Sequence, residues 1–348
     1  MANSVNPRRL LRERGGKGRL VELLTGAGYS PQQQPLAAMC NAIYMATPLL
    51  LEGQRGGGKT AFPEAVARAL GLPLFTLPCL SDTTTDHILF SWNTAGQQQF
   101  VAQETQRGVP LDVVLERQWS LDFLKLGEVL DAFHYASNHD LPPVVLVDEI
   151  DKLSHDGQTA FLQILARGFA NVPGLRPRNY VGFAPDLPAE QRYWSYPIVV
   201  LTSNNMGAGV SSPLLSRARF CYIPSPTLEE MAAILAARVP AAQPRLLYHT
   251  VKLVNGINGL PLLEKPALRE FIMLLETFVA YGYTYLTAEI IADNIDCVAK
   301  THKDMATMTD AVDSLHRNFV EKPDEALEAL VRQIYQQRRA QPAAALAA

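Results

Sequence analysis

Residues 49–62 read LLLEGQRGGGKTAF, and the reading of this stretch decides the fold. An apolar run, 49–51, meets Gly53, then four residues, then Gly58, Lys59 and Thr60. Glycine reaches backbone dihedrals that a Cβ forbids, so the N–H groups of such a turn can wrap phosphate oxygens. A helix starting at Ala61 would point its N-terminus at the same oxygens. Lys59 then suits the β- and γ-phosphates, and the Thr60 hydroxyl suits Mg2+. The expected nucleotide-binding set is Gly53, Gln54, Arg55, Gly56, Gly57, Gly58, Lys59, Thr60 and Ala61. Arg55 inside the loop and the three consecutive glycines 56–58 set this version apart.

A second stretch, VVLVDEIDK at 144–152, puts Asp148 and Glu149 at the end of a β-branched apolar run. Ligands of open α/β sheets bind at the carboxyl ends of strands, which is where these two carboxylates are expected. Asp148 is the candidate for holding the metal with Thr60, and Glu149 for polarising the water that attacks the γ-phosphate. Asp151 is read as structural or helix-capping. A further apolar run, 198–202, ends in Ser203, Asn204 and Asn205, where an amide can orient that water. Arg217 follows in SPLLSRARF and is suited to reach a neighbouring subunit's γ-phosphate, with Arg219 as second choice.

The 348 residues are 48% hydrophobic and 19% charged, enough for one large domain and a smaller one. The net charge of −3 excludes a generic polyanion binder, but it is unevenly spread. Residues 1–20 hold six basic groups against Glu13, a net +5 that leaves −8 for the remainder. That arm is expected to be a solvated, mobile terminus rather than a nucleic-acid tether. Arg8-Arg9 is followed by no apolar segment of an export signal, and 36–51 is too interrupted to span a membrane. The four cysteines form no CxxC pair and the histidines no HExxH pattern, so a disulfide framework or zinc site is not expected. A reducing cytoplasm is the expected location.

Apolar runs alternating with helical patterns predict a parallel sheet covered by helices. Helices are expected over 31–46, 61–70 and 154–169, with strands over 48–51, 74–77, 144–147 and 198–202. After Pro224 the pattern becomes helical over 228–238, 268–281, 287–300 and 326–339. The expected division is a basic arm 1–28, an α/β core 29–224, a helical lid 225–320, and a C-terminal helix with a low-complexity, frayed tail 321–348. Two intervals, 80–141 and 170–197, exceed what simple connections require and are expected to be functional inserts. Their aromatics Trp92, Phe100, Trp119 and Trp194 suit either packing of the inserts, which is preferred, or gripping a substrate.

The order of phosphate loop, DE-ended strand, strand-end Asn204 and Ser-Arg, followed by a helical lid, resembles the AAA+ ATPases over residues 30–300. Asn204 matches their sensor 1 and Arg217 their arginine finger. The two long intervals fall where the MoxR group carries its inserts. Trp92-Asn93, the Phe-Leu-containing segment 122–129, the TSN at 202–204 and KPALREF at 265–271 resemble the MoxR branch that includes carbon-monoxide-dehydrogenase maturation ATPases. The sequence departs from that pattern where Gln54-Arg55 replaces Pro-Pro and where Gly57 replaces a side chain. A sensor 2 arginine is not evident; Arg269 is the nearest candidate and Lys265 the alternative. The resemblance implies an ATP- and Mg2+-dependent hexamer that works with a von Willebrand factor A domain partner to remodel or mature a protein client. Two other readings stand beside it: a nucleic-acid motor or defence-system component, and a scaffold gated by nucleotide occupancy.

Overall fold

The computed structural model describes residues 4–29, 31–53, 56–204 and 209–345, with side chains to residue 337. The chain divides into two compact units, residues 4–53 with 58–223, and residues 224–345 together with Gly56 and Gly57.

The first unit is built on an all-parallel sheet of β1 (Leu49–Gly53), β2 (Leu74–Pro78), β3 (Val144–Asp148), β4 (Ile198–Ser203) and β5 (Arg219–Ile223). The spatial order is β2-β3-β4-β1-β5. Strands covered on both faces need aliphatic side chains at every position, which is why 49–51, 144–147 and 198–201 read as unbroken apolar runs. Alternate residues feed two cores. Leu50, Val145, Val147, Val199 and Leu201 face one cluster, packed by the helices Glu128–Asn138 and His155–Arg167. Leu49, Leu51, Val144, Ile198 and Val200 face the other, packed by Gln33–Met45 and Ala61–Leu70.

β5 lies outside the expected strand set. It pairs only with β1, and its RFCYI sequence buries Cys221 and Ile223 while leaving Phe220 58% exposed. An edge strand with one wet face alternates instead of running apolar, and Arg219 at its start, two residues after Arg217, masked it.

The basic terminus is not a mobile arm. Helices Pro7–Arg12 and Gly16–Gly26 fold onto the unit and contribute Leu10, Leu20 and Leu24 to its core. Arg8 is fully buried. Its guanidinium donates to the carbonyls of Ile43 at 3.0 Å and Tyr196 at 2.7 Å and stacks on the Tyr193 ring at 5.2 Å. Burial pushes the Arg8 pKa down to about 10, so the side chain stays charged at neutral pH. Arg12 stacks on Trp194 at 4.6 Å. Arginine planes are weakly hydrated and pack on aromatic faces, which lets a basic helix dock where lysines would stay in water.

The interval 80–141 holds a two-stranded ribbon, Phe90–Trp92 with Leu124–Leu126, and the helices Thr94–Gln106 and Leu111–Arg117 between its strands. Trp92 and Trp119 meet edge to face at 5.0 Å, and Phe100 packs on Phe123 at 5.1 Å, so these aromatics hold the insert together. The interval ends in a core element, because Val129, Leu130 and Phe133 of Glu128–Asn138 pack under the sheet. Between the helix at 155–167 and β4 stand the ribbon Phe169–Asn171 with Tyr180–Gly182 and a short helix, Ala189–Arg192. The helix expected to reach 169 therefore stops at Arg167, where Gly168 at φ +77° turns the chain into that ribbon.

The second unit is helical. Leu228–Arg238 starts at a Thr227–Glu230 capping box, and Leu268–Ala280 packs Phe271, Leu274, Leu275 and Phe278 into the unit's core. The single helix expected over 287–300 is broken. Ala288–Asp293 ends at Asn294, whose Nδ2 donates to the Ile290 carbonyl at 2.8 Å, and a 3-10 turn follows. Two helices, Pro244–Asn258 and His302–Leu315, fall outside the sequence expectation. Both are amphipathic: the first buries Leu246, Leu247, Val251, Val254 and Ile257 at helical spacing, and the second buries Met308, Val312 and Leu315 beside Asp304. The last helix, Glu325–Ala345, runs into the tail expected to be frayed.

Within this unit the His249 Nδ1 accepts the Leu286 N–H at 3.1 Å. Burial, aided by the charges of Arg245, Lys252 and His316, pushes its pKa down from 6.5 to about 4. The unfolded chain then binds more protons than the folded one between those values, so stability is complete above pH 6.5 and falls as pH drops toward 4. A melting series across that window is expected to show the fall in the parent and a flatter profile in His249→Asn, whose Oδ1 accepts the same N–H without titrating.

Candidate nucleotide site

β1 delivers the chain to the loop at Gly53, which leaves no room for a side chain: a Cβ there would lie 2.4 Å from the Ile223 carbonyl oxygen. Gly56 and Gly58 hold φ of +70° and +86°, in the left-handed region, whereas Gly57 does not. Two of the three loop glycines are thus conformationally required. A Val at 58 is expected to abolish nucleotide binding and turnover, because a β-branched residue strains at positive φ. A Val at 57 is expected to keep both, and equal loss from the two variants, measured by nucleotide titration, would overturn that distinction. Gln54 and Arg55 lie outside the described residues, as does Asn205.

Ala61 opens the helix Ala61–Leu70, directly after Lys59 and Thr60. Lys59 is 6% exposed, and its Nζ donates to the Gly53 carbonyl at 2.8 Å, folding the ammonium back over the loop. The Thr60 hydroxyl donates to Asp148 Oδ1 at 3.0 Å, joining residues 88 apart in sequence. Thr202 donates its hydroxyl to the same oxygen and accepts the Glu149 N–H at 2.9 Å. One side chain of β4 thereby aligns both acids of β3.

Glu149 sits at φ +57°, an αL conformation that a non-glycine residue adopts at a cost of about 1–3 kcal/mol. Its carboxylate is engaged at both oxygens: Asn204 Nδ2 donates to Oε1 at 2.6 Å, and the Lys152 ammonium pairs with Oε2. Asp151 does not cap the following helix; Ser154 does, its Oγ accepting the Gly157 N–H at 3.2 Å, and Asp151 Oδ1 is buried with no partner among the described residues. Beside the site, burial and then the charge of Asp148 push the Cys79 thiol up to about 12, so it stays a neutral thiol.

Thr60 and Asp148 present hard oxygen donors side by side, the set with which Mg2+ is held together with phosphate oxygens. Among the described residues no group of three or more His, Cys, Asp or Glu side chains could hold a metal without such a ligand.

Arg217 is the last residue of the helix Ser212–Arg217 and is exposed. Its guanidinium donates to the Pro213 carbonyl at 2.9 Å, and no hydrogen bond or ion pair among the described residues draws it to Lys59, Thr60, Asp148 or Glu149. Arg219 opens β5 and is also exposed. In the second unit Arg269 is exposed at the second position of its helix, whereas the Lys265 ammonium is committed to the Asn258 carbonyl at 2.8 Å.

Lys152 and Gln158 are polar groups around the site that the sequence did not single out. Lys152 carried a signal, standing one short turn after Glu149 in DEIDK. Gln158 carried none, because its partners are brought in from elsewhere in the chain.

No curated protein matches the chain. Residues 48–218, which hold β1 to β4 and end just before β5, match the family model of the AAA domain, dynein-related subfamily. Over those residues the first unit is similar to the AAA domain, in keeping with its parallel α/β sheet.

Proposed function

We propose that this chain is a MoxR-type AAA+ ATPase that assembles as a ring, a hexamer by resemblance, and uses ATP hydrolysis to remodel, activate or mature a protein complex. The observation that carries the reading is the continuous polar path from Thr60 through Asp148 and Thr202 to Glu149 and Asn204. It joins a phosphate loop, a general base and a strand-end amide across three parallel strands.

In this mechanism the loop 53–60 wraps the triphosphate and Lys59 leaves the Gly53 carbonyl to pair with the β- and γ-oxygens. Thr60 and Asp148 are the residues that would hold Mg2+, which neutralises phosphate charge when bound. Glu149 takes the proton of the attacking water, and Asn204 holds that water and the carboxylate in register. Each Glu149 carboxylate oxygen has one partner, Asn204 on Oε1 and Lys152 on Oε2, which leaves a lone pair on each for that proton. Arg217 of an adjacent subunit stabilises the charge of the transition state. Its exposed position, outside the hydrogen-bonded network of its own site, supports action in trans. Arg269, with Lys265 already engaged, is the lid residue we assign to the nucleotide.

A von Willebrand factor A domain protein is the proposed partner, a protein complex the client, and a reducing cytoplasm the location, in keeping with four free cysteines. No helix among the described residues is long and apolar enough to cross a membrane. The nucleic-acid reading is weakened at one of its six basic residues, since Arg8 is buried, while Arg9, Arg12, Arg14, Lys17 and Arg19 stay exposed. Capture with a Glu149→Gln trap in ATP tests the assignment. Recovery of a von Willebrand domain protein is expected; DNA-stimulated, salt-sensitive turnover would overturn it in favour of a motor.

A further inference from the structure

Gln158 stands in the first turns of the helix His155–Arg167 and is 3% exposed. Its amide reaches both sides of the site. Nε2 donates to the Leu153 carbonyl at 3.0 Å, on the segment that follows Glu149, and to the Gly209 carbonyl at 2.7 Å. Oε1 accepts the Ser211 N–H at 2.8 Å. Both donors and the acceptor of the amide are therefore in use. Gly209 presses on the same segment directly: at φ +87°, a Cβ on it would lie 2.6 Å from the Asp151 carbonyl oxygen.

Gly209 and Ser211 belong to the connection between Asn204 and Arg217, and Ser211 is the N-cap of the helix Ser212–Arg217. The Ser211 side chain makes no capping bond, and its Oγ is buried with no partner among the described residues. What fixes the start of this helix on the polar side is the bond from the Ser211 N–H to Gln158. On the apolar side Val210 and Leu214 enter the core that also holds Leu153 and Phe161. A six-residue helix held at its first turn carries Arg217 at its last.

We propose that Gln158 is the positioning residue for Arg217, a clamp that ties the arginine-bearing helix to the segment leaving the catalytic carboxylates. The proposal rests on the reading of Arg217 as acting on a neighbouring subunit's nucleotide. The clamp couples the two ends of one subunit: movement of the segment after Glu149 pulls, through one buried amide, on the helix that serves the next site. Because displacement of a reacting group by about 1 Å can reduce turnover a hundredfold, loosening the clamp acts on rate without touching the nucleotide loop.

The test uses full-length rings and two variants that break the clamp from opposite sides. Gln158→Met keeps the volume and removes all three bonds. Ser211→Pro removes only the N–H that Oε1 accepts, at a φ of −67° that suits proline. Each is expected to bind nucleotide as the parent does and to lose about a hundredfold in kcat. Each is then mixed with Lys59→Ala subunits, whose own site is dead but whose Arg217 is correctly held. Turnover is expected to return, because the clamp-broken subunit still has an intact phosphate loop and base. Should the mixtures stay inactive while Arg217→Ala mixed with Lys59→Ala recovers, Gln158 serves its own site and the proposal is wrong. If the Arg217→Ala mixture also stays inactive in confirmed mixed rings, the trans reading itself fails and the proposal falls with it. Ser211→Pro keeps the test decisive if Gln158→Met does not fold, and parent-like kcat in Ser211→Pro would overturn the clamp.

Discussion

Glu149→Gln is expected to bind ATP like the parent and to lose about 10²–10⁴-fold in turnover, the range contributed by a positioned general base. The substitution is isosteric, and an amide at 149 can still accept the Asn204 Nδ2 hydrogen bond now made at 2.6 Å. The Glu149 N–H keeps its bond to Thr202, so the strained turn at φ +57° has the same support. What is lost is the ability to take a proton, together with the ion pair to Lys152. Steady-state phosphate release against nucleotide affinity separates these effects. Loss of turnover at unchanged affinity is the expected pattern, together with rings that persist in ATP. Turnover at the parent rate would remove Glu149 from the role of base.

Arg217→Ala is expected to have a comparable or larger effect, since an arginine supplied to the transferring phosphoryl group contributes about 10³–10⁵-fold in rate. Folding should be unaffected: Arg217 is exposed, and the hydrogen bond it makes among the described residues returns to the Pro213 carbonyl of its own helix. Arg219→Ala, at the exposed start of β5, is expected to be milder. The informative experiment mixes Arg217→Ala with Lys59→Ala. The first variant has an intact site and no arginine to give, and the second has the arginine and no working loop. Recovered turnover in the mixture means that the arginine acts across subunits. A mixture that stays inactive, with mixed rings verified, places its action elsewhere.

Local pattern was enough to read the elements whose environment is uniform. β1, β3 and β4 are covered on both faces, so each is an unbroken aliphatic run that no other element of the first unit imitates. The loop after β1 was equally legible, because phosphate binding imposes glycine, lysine and a hydroxyl at fixed spacing. Elements with two different faces were harder. β5 alternates buried Cys221 with exposed Phe220, and Arg219 at its start, close after Arg217, suggested a functional motif rather than a strand. The helix Pro7–Arg12 hides behind its own arginines. Charge pattern says that a segment is basic; it does not say that Tyr193 and Trp194, some 180 residues away, will offer rings for those guanidinium groups.

The same division runs through the site. Sequence by itself singled out Lys59, Thr60, Asp148, Glu149 and Asn204 as candidates, because each belongs to a short stretch whose residue types nucleotide hydrolysis would require. Only the tertiary structure decided how they are held. Thr202 bridges Asp148 and Glu149 because β4 lies beside β3, and Gln158 reaches Ser211 because a helix crosses beneath the connection that leads to Arg217. A hydrogen bond forms between atoms about 3 Å apart whatever their separation along the chain, and that proximity exists only once the strands have found their order.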